Sequence, residues 1–255
     1  MLNKNVISLS ISSGDYSVFL SRILSLANSR GSSYICVANV HMTIEAYWAP
    51  DFAKDVNNSD LVTPDGMPLA KAMKYLYGVN QERVAGMDLL PDLLQEAENK
   101  GLSVFFYGGT QKMLDNTKEY VLENFPKLTE HHYYSPPFRP LNIQEEREII
   151  DNINSSNANL VFVALGCPKQ EKWMASMKGK INACMIGIGG ALPVMIGMQK
   201  RAPRWMQKMS LEWFYRLIQE PHRLFKRYFV TNTLFIFLLI KQLITVRIFN
   251  RHNQK

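Results

Sequence analysis

Asp65 is the residue whose position in the sequence best suits acid–base chemistry. It follows the short apolar run Leu61-Val62-Thr63-Pro64 and precedes Gly66, after which a helical pattern begins. In an open parallel sheet the carboxyl ends of the strands face the ligand-binding crevice, so a carboxylate there can act as a general base. The same Pro-Asp-Gly sequence is typical of an ordinary turn, since proline presets φ and glycine permits positive φ. The hexapeptide alone is compatible with both interpretations.

Two further strand ends carry features that suit a phosphate group. Ser103–Tyr107 leads into Gly108-Gly109-Thr110 and then a helix, whose exposed N–H groups attract anions. Leu160–Leu165 leads into Gly166-Cys167-Pro168-Lys169-Gln170-Glu171, where proline suits a first helical turn and lysine adds a cation. These junctions predict that a diphosphate can be held without a metal ion, although glycines at such turns often have only a steric role.

Several other kinds of site are disfavoured. No Asp-x-Asp occurs, which argues against a Mg²⁺ or Mn²⁺ ion bridged by carboxylates. The cluster 187–191 does not complete the dinucleotide pattern G-x-G-x-x-G, because Leu192 stands where the last glycine is needed. The adjacent pair His131-His132 cannot place both rings on one face of a strand, and we expect it in a solvated loop or at a strand end. Three widely spaced cysteines are predicted to be structural thiols: Cys36, Cys167 and Cys184.

The positive charge of the chain is concentrated near its C-terminal end. Residues 1–199 contain 17 Lys/Arg against 20 Asp/Glu, whereas residues 200–255 contain 12 against 2. This asymmetry indicates an anionic partner, and the bulky apolar residues beside the basic cluster at 223–227 favour a membrane surface over nucleic acid. Because Thr231-Asn232-Thr233 and Lys241-Gln242 interrupt the apolar run, we expect an interfacial segment. A membrane-spanning helix and a buried helix at an oligomer interface are the alternatives.

Strand-like and helix-like patterns alternate along the rest of the 255 residues. This alternation predicts an α/β fold, Rossmann-like, with a mostly parallel sheet and helices on both faces. Residues 1–200 would form this core and residues 201–255 a basic, amphipathic helical appendage. The first 15 residues lack the pattern of a secretory signal, which predicts an intracellular protein. The expected strands are Val6–Ile11, Tyr34–Ala38, Leu61–Thr63, Ser103–Tyr107, Leu160–Leu165 and Ala183–Ile188, and the expected helices are His41–Val56, Met67–Tyr77, Met87–Asn99, Gln111–Asn124, Ile143–Asn154 and Lys169–Met177.

A distinctive order of short motifs runs from about Tyr34 to Tyr228. In this order the chain resembles the WecG/TagA/CpsF family of bacterial glycosyltransferases. The motifs are Asn39, Thr63-Pro64-Asp65-Gly66, Arg83-Val84-Ala85-Gly86-Met87-Asp88-Leu89, Tyr107-Gly108-Gly109, Ser135-Pro136-Pro137-Phe138, Gly166-Cys167-Pro168-Lys169-Gln170-Glu171, Arg201-Ala202-Pro203-Arg204-Trp205-Met206-Gln207, Leu211-Glu212-Trp213-Phe214-Tyr215-Arg216-Leu217 and Glu220-Pro221-His222-Arg223-Leu224.

The resemblance implies an inverting transfer, without metal or other cofactor, from a UDP-sugar to a saccharide linked to a polyprenyl diphosphate. It implies that Asp65 is the catalytic base and that Asn39 positions the base or the sugar. It further implies a peripheral enzyme at the cytoplasmic face of a bacterial membrane, serving polysaccharide or teichoic acid assembly, and suggests self-association. The residues expected to bind substrate are Thr63, Arg83, Gly108, Gly109, Gln170, Gly189, Arg216, Arg223 and Arg227.

Two of these assignments have structural alternatives. Arg83 could recognise a diphosphate or the acceptor, or could form an ion pair with Glu82 or Asp88. The resemblance implies that arginines of the appendage close over the site and stabilise the departing UDP, whereas simple attraction to anionic lipid would also explain them.

The chain departs from the family pattern at two places. Val37 stands where many members have threonine, and Leu192-Pro193-Val194 replaces a run that contains an aspartate. The donor therefore stays open among a UDP-hexose, a UDP-hexuronate and UDP-N-acetylmannosamine or its uronic acid. Two rival functions are a non-catalytic nucleotide-sugar-binding module of a polysaccharide complex and a nucleotide-dependent dehydrogenase, which the incomplete glycine pattern disfavours.

Overall fold

A computed structural model describes residues 1–209 and 211–252 of the chain. The chain begins with a separate hairpin of β1 (Leu2–Val6) and β2 (Leu9–Ser13). The main sheet has six parallel strands, which are β3 (Ser33–Ala38), β4 (Leu61–Pro64), β5 (Val104–Tyr107), β6 (His131–Tyr134), β7 (Leu160–Val163) and β8 (Cys184–Gly187). Their order in the sheet is β4-β3-β8-β7-β5-β6.

Helices cover both faces of the sheet, so the predicted fold class is confirmed. Every residue of β3, β5, β7 and β8 is buried, as expected when a parallel sheet is covered on both sides. The helices are α1 (Tyr16–Ser29), α2 (Val40–Trp48), α3 (Pro50–Asn57), α4 (Met67–Tyr77), α5 (Gly86–Lys100), α6 (Gln111–Asn124), α7 (Ile143–Ser155), α8 (Lys169–Met177), α9 (Ala191–Met195), α10 (Arg204–Lys208), α11 (Glu212–Gln219) and α12 (Pro221–His252).

The prediction of one strand over Val6–Ile11 is wrong. The chain turns within that stretch, and β1 pairs antiparallel with β2 outside the main sheet, with Val6 opposite Leu9. The turn requires Ile7 to adopt a left-handed φ of 57°, which is uncommon for a β-branched residue. No glycine or asparagine marks this turn, so the sequence pattern did not reveal it.

The prediction of one helix over His41–Val56 is also wrong, because α2 ends at Trp48 and α3 begins at Pro50. Ala49 between them is extended, with φ −125° and ψ 94°, as is typical of a residue that precedes proline. The sequence analysis also missed β6 as a strand. The pair His131-His132 opens this edge strand, which is only partly buried and pairs with β5.

The C-terminal helix α12 runs unbroken through the polar residues that interrupt the apolar run of the sequence. Thr231 is buried, and its hydroxyl donates to the carbonyl oxygen of Arg227 at 2.9 Å, so its polar group is satisfied within the helix. Phe235 and Leu238 are buried among the apolar residues that cover one face of the sheet. The helix is therefore docked on the core along one side, where it packs against α2 and α4.

The opposite side of α12 is exposed and strongly apolar. By length and composition alone, the stretch Pro221–Ile248 is sufficient to cross a membrane, and only 17% of its most apolar window is buried. The structure thus shows a helix with one protein-facing side and one apolar side open to its surroundings. The exposed large apolar residues of this helix are Phe225, Phe229, Val230, Ile236, Phe237, Ile240, Ile244 and Ile248.

Gln242 fixes α12 to the N-terminal hairpin. Its side-chain oxygen accepts from the N–H of Ile7 at 2.9 Å, and its nitrogen donates to the carbonyl oxygen of Asn5 at 2.8 Å. The hydroxyl of Tyr77, the last residue of α4, donates to the same Asn5 carbonyl at 2.6 Å. The hairpin turn therefore joins the C-terminal part of α12 to the end of α4.

Candidate active site

A cavity of about 770 Å³ lies at the carboxyl end of the sheet. The loops after β3, β4, β7 and β8 contribute to its wall, and α4, α11 and α12 close it from the other side. This is the edge at which open α/β sheets bind ligands. Seven of the residues predicted to act in the site line this cavity: Asn39, Asp65, Gln170, Gly189, Arg216, Arg223 and Arg227.

Asp65 is held at the cavity wall by the start of α5. The N–H of Gly86, the first residue of α5, donates to Oδ1 of Asp65 at 3.2 Å, while the Asp65 N–H donates to the Ala38 carbonyl at 2.8 Å. Burial raises the pKa of Asp65 to about 6, and the carboxylate of Glu212 adds to this, whereas Arg83, the Gly86 N–H and Arg216 oppose it. A carboxylate with this pKa is ionised at neutral pH and can still accept a proton, which is the property that a general base requires.

Asn39 directly follows β3, and Asp65 directly follows β4, the neighbouring strand. Its side-chain oxygen accepts from the N–H of Met42 at 3.1 Å and caps the N-terminus of α2. The cap uses the oxygen, so the amide nitrogen is the group left to contact a ligand. Asn39 can thus donate to a sugar or phosphate oxygen, but it cannot act as a base.

Gln170 stabilises the turn after β7. Its side-chain oxygen accepts from the N–H of Gly166 at 3.1 Å, and its nitrogen donates to Oε1 of Glu171 at 2.7 Å. An added Cβ on Gly187 would lie 2.9 Å from the Gln170 nitrogen, and one on Gly189 would lie 3.2 Å from its oxygen. These two glycines are therefore needed at the end of β8 so that the Gln170 amide can pack there.

Glu171 lies behind Gln170, away from solvent. Its Oε2 has no hydrogen-bond partner among the described residues, and burial raises the pKa of its carboxyl to about 7. Burial also raises the pKa values of Cys36 and Cys167. All three cysteines are free thiols.

Three arginines of the appendage face the cavity from α11 and α12. Nη2 of Arg216 donates to the Gly190 carbonyl at 3.3 Å, which places this guanidinium over the end of β8. Arg223 forms an ion pair with Glu220, and Arg227 lies one helical turn further along α12. Several donors with permanent positive charge thus face the same cavity as the Asp65 carboxylate.

Arg83 belongs to an ion-pair network beside the cavity. Its guanidinium donates to Glu212 at 2.7 Å and to Asp88 at 2.7 Å, and Arg201 also pairs with Asp88. The Arg83 and Glu212 side chains are only 14% and 19% exposed. The network joins the core to α11, and Glu212 lines the cavity while Arg83 stands behind it. A ligand-binding role for Arg83 stays a prediction.

Thr63, Gly108 and Gly109 do not line the cavity. Thr63 is fully buried, and its hydroxyl donates to the Val84 carbonyl at 3.1 Å, so it fixes the segment before α5. Gly108 has a φ of 108°, and an added Cβ would lie 2.8 Å from the backbone of Ala164. Its position permits close packing of the loops after β5 and β7, and substrate binding by these three residues stays a prediction.

The cavity residues to which the sequence analysis assigned no role include His41, Lys71 and Glu212. Burial, followed by the charge of Arg227, lowers the pKa of His41 to about 4, so this imidazole is neutral at physiological pH. Lys71 is exposed and lies on α4, one helical turn after its first residue, Met67. The motif Leu211–Leu217 contained Glu212, but its pairing with Arg83 depends on tertiary structure. Within residues 1–209 and 211–252, no group of three or more His, Cys, Asp or Glu side chains is arranged to hold a metal ion.

Comparison with known proteins identifies relatives of the chain. The model of the glycosyl transferase WecG/TagA/CpsF family matches residues 4–248. An N-acetylglucosaminyldiphosphoundecaprenol N-acetyl-beta-D-mannosaminyltransferase of Bacillus spizizenii is 34% identical over 192 residues, which cover 75% of this chain and 73% of the relative. Proteins with the same name from Bacillus subtilis strain 168 and Staphylococcus aureus strain MW2 are 31% and 26% identical, covering 74% and 77% of this chain and 72% and 76% of the relatives.

Proposed function

Because the chain belongs to the WecG/TagA/CpsF family of glycosyltransferases, we propose that it transfers a sugar from a UDP-sugar to a saccharide linked to a polyprenyl diphosphate. The names of the relatives specify such an acceptor, N-acetylglucosaminyldiphosphoundecaprenol. The proposal rests on the observation that the Asp65 carboxylate, with a pKa of about 6, and three arginines line the same cavity. A base and several cations are the groups that a metal-independent sugar transfer requires.

The reaction we propose is a single displacement with inversion. Asp65 accepts the proton of the acceptor hydroxyl as that oxygen attacks C1 of the donor sugar, and the bond from C1 to the UDP oxygen breaks. The proton remains on Asp65 and passes to solvent after the products leave. A base with a pKa near 6 suits both steps, because it is ionised before the attack and readily releases the proton afterwards.

The departing UDP gains negative charge, and in the proposed mechanism Arg216, Arg223 and Arg227 stabilise it. Guanidinium groups offer several donors in a fixed plane and keep their charge in a partly enclosed site. Asn39 donates from its amide nitrogen to a sugar oxygen and orients it towards Asp65. Gln170 contributes by fixing the turn that lies beneath the nucleotide.

The donor sugar is proposed only as a class. Val37 and Pro193, the two departures from the family pattern, both lie in the cavity wall. Neither side chain offers a hydrogen bond or a charge to the donor, so the wall there is apolar. A UDP-hexose, a UDP-hexuronate and UDP-N-acetylmannosamine remain the candidate donors, the last of them suggested by the names of the relatives.

The proposed location is the cytoplasmic face of the bacterial membrane, with the exposed apolar side of α12 in contact with lipid. Phe225 and Phe229 on this side stack at 6.3 Å and are 63% and 67% exposed. Lys226, which lies between them in the sequence and is exposed, would pair with anionic headgroups. This arrangement brings the cavity close to the surface at which a lipid-linked acceptor resides.

The experiment that tests the function is a UDP-release assay with a panel of UDP-sugars and a GlcNAc-diphosphate-prenyl acceptor, with and without EDTA. We expect release that depends on both the acceptor and one donor and that is unchanged by EDTA. Loss of activity in EDTA would contradict the proposed independence from metal ions but not the proposed sugar transfer. UDP binding without transfer to any acceptor would instead indicate a nucleotide-sugar-binding module.

A further inference from the structure

The cavity does not end at the arginines but continues as a cleft between α4 and α12. Residues of α4 that line it recur with helical spacing, and so do those of α12. The cleft is thus bordered by one continuous stripe from each helix. The α4 stripe is Met67, Pro68, Lys71, Ala72 and Tyr75, and the α12 stripe is Arg223, Arg227, Tyr228, Thr231, Asn232, Phe235, Ile236 and Leu239.

The two helices run in the same direction along this cleft. Helix α4 begins two residues after Asp65, and Arg223 and Arg227 of α12 lie in the same cavity as that carboxylate. At the far end, Tyr77 of α4 and Gln242 of α12 donate to one carbonyl oxygen, that of Asn5. The cleft therefore leads away from Asp65 towards the N-terminal hairpin.

The chemistry of the cleft changes along this direction. Lys71 and Arg227 lie at the end nearer Asp65, whereas Tyr75, Ile236 and Leu239 follow further along. With a rise of 1.5 Å per residue, Ile236 lies about 13 Å beyond Arg227, and Tyr75 about 6 Å beyond Lys71. A cationic section therefore separates the carboxylate from an apolar section.

The apolar section is open rather than filled. Tyr75 is 62% exposed and Ile236 is 57% exposed, although both border the same cavity. Two large apolar side chains that face one solvent-accessible cleft are typical of a site for an apolar ligand. The order of base, cations and apolar wall matches, group by group, a molecule with a hydroxyl, a diphosphate and a hydrocarbon chain.

We propose that the α4–α12 cleft binds the diphosphate and the first isoprene units of the acceptor, with Lys71 paired to the diphosphate and Ile236, Leu239 and Tyr75 enclosing the hydrocarbon. This inference rests on the proposed function and adds the part of the protein that recognises the lipid. Lys71 and Ile236 are binding residues in this arrangement, and neither takes part in proton transfer. The length of the cleft limits recognition to the units nearest the diphosphate, so the rest of the chain can stay in the membrane.

The test is a calorimetric binding measurement with farnesyl diphosphate and with inorganic diphosphate, on the full chain with saturating UDP so that the nucleotide site is occupied. Farnesyl diphosphate should bind at least about tenfold more tightly than inorganic diphosphate, since each buried CH₂ increases affinity about fourfold. Ile236→Ser should weaken the binding of farnesyl diphosphate about fivefold or more and leave the affinity for inorganic diphosphate unchanged. Lys71→Ala should weaken the binding of both ligands.

Two neighbouring positions provide matched controls. Phe237 is 63% exposed and does not line the cleft, and Lys74 is an exposed lysine of α4 outside it. Phe237→Ser and Lys74→Ala should leave both affinities unchanged. Equal affinities for the two diphosphates would overturn the proposal. Equal losses in Ile236→Ser and Phe237→Ser would also overturn it, because the prenyl chain would then adsorb to α12 as a whole.

The binding test is independent of catalysis, because neither ligand is glycosylated. If the wild-type chain binds farnesyl diphosphate as described but transfers no sugar, the proposed function fails and the cleft assignment stands. If it transfers sugar but shows no preference for the prenyl chain, the cleft assignment fails and the proposed function stands. In the transfer assay, Ile236→Ser should raise the KM for the prenyl acceptor and leave kcat unchanged.

Discussion

Replacing Asp65 by Asn should stabilise the folded chain, and the gain should grow with pH. Burial raises the pKa of Asp65 from 3.8 to about 6, so the folded protein holds the ionised carboxylate less favourably than the unfolded chain does. Each pKa unit corresponds to about 1.4 kcal/mol, so this ionisation destabilises the fold by about 3 kcal/mol at pH 7. Asparagine keeps the oxygen that accepts from Gly86 and has no charge to bury.

The stability gain of Asp65→Asn depends on pH because Asp65 ionises at a lower pH in the unfolded chain than in the folded chain. Below pH 3.8 the carboxyl is protonated in both the folded and the unfolded chain, so asparagine gives no advantage. Between pH 3.8 and about 6 only the unfolded chain ionises, so the advantage of the asparagine variant increases, and above this range it becomes constant. The gain in the free energy of unfolding should be about 0.5 kcal/mol at pH 4 and about 3 kcal/mol at pH 7.

The assay is urea unfolding of the wild type and Asp65→Asn at pH 4, 5, 6 and 7, in one detergent and at constant ionic strength. Asp151→Asn is the matched control, since Asp151 is an exposed carboxylate on α7. This control should change the stability by less than about 0.5 kcal/mol at every pH. The reasoning is refuted if Asp65→Asn is no more stable than the wild type at pH 7, or if the difference does not vary with pH.

The other predictions concern activity and membrane binding. Asp65→Asn should lower kcat by about 10²- to 10⁴-fold, the range for a lost general base. The wild-type rate should fall as the pH drops through about 6, because the base becomes protonated, and this is checked with a pH–rate profile. Gly190→Ala would place a Cβ 2.7 Å from Nη2 of Arg216, so the guanidinium must move, and kcat should fall about tenfold or more. The double variant Phe225→Ser/Phe229→Ser should bind less to anionic vesicles in a sedimentation assay, since it removes two exposed rings from α12.

The Gly190 variant and the phenylalanine double variant each have a matched control. Gly31→Ala should leave kcat unchanged, because its Cβ would make only an ordinary contact, 3.6 Å from Ser29. A normal kcat in Gly190→Ala would show that the position of Arg216 has no bearing on turnover. Phe138→Ser, at a position that is 84% exposed and outside α12, should leave vesicle binding intact. A flat pH–rate profile between pH 5 and 7 would remove Asp65 from the mechanism.

The central sheet could be predicted because its signal is local. Short, mostly apolar runs mark β3, β5, β7 and β8, and each run is buried on both faces. The proximity of Asn39 and Asp65 could be predicted from the same strand patterns, because both residues directly follow neighbouring parallel strands. In β6 the first two residues are histidines at the sheet edge, where burial is only partial, so the usual strand pattern is absent.

The rest of the site depends on tertiary contacts that leave no pattern in the sequence. Arg83 and Glu212 are 129 residues apart, and the ion pair between them forms only because α11 packs beside the start of α5. Thr231 interrupts the apolar run in the sequence, and only the structure shows that its hydroxyl donates to a carbonyl oxygen within its own helix, where the residue is buried. Nothing in the sequence marked Lys71 as a site residue, because exposed lysines are common on helices. Its place in the cavity depends on the packing of α12 beside α4.

The contact between Gln242 and the N-terminal hairpin has a consequence for the order of folding during synthesis. Ile7 and Gln242 are separated by 235 residues, so at translation rates of about 5 to 20 residues per second the hairpin waits tens of seconds for its partner. The sheet can form in that interval, while the apolar surface that receives Phe235 and Leu238 stays uncovered. Helix α12 therefore completes both the core and the cleft, and the nascent chain gains the exposed apolar side of this helix only after the strands of the sheet have been made.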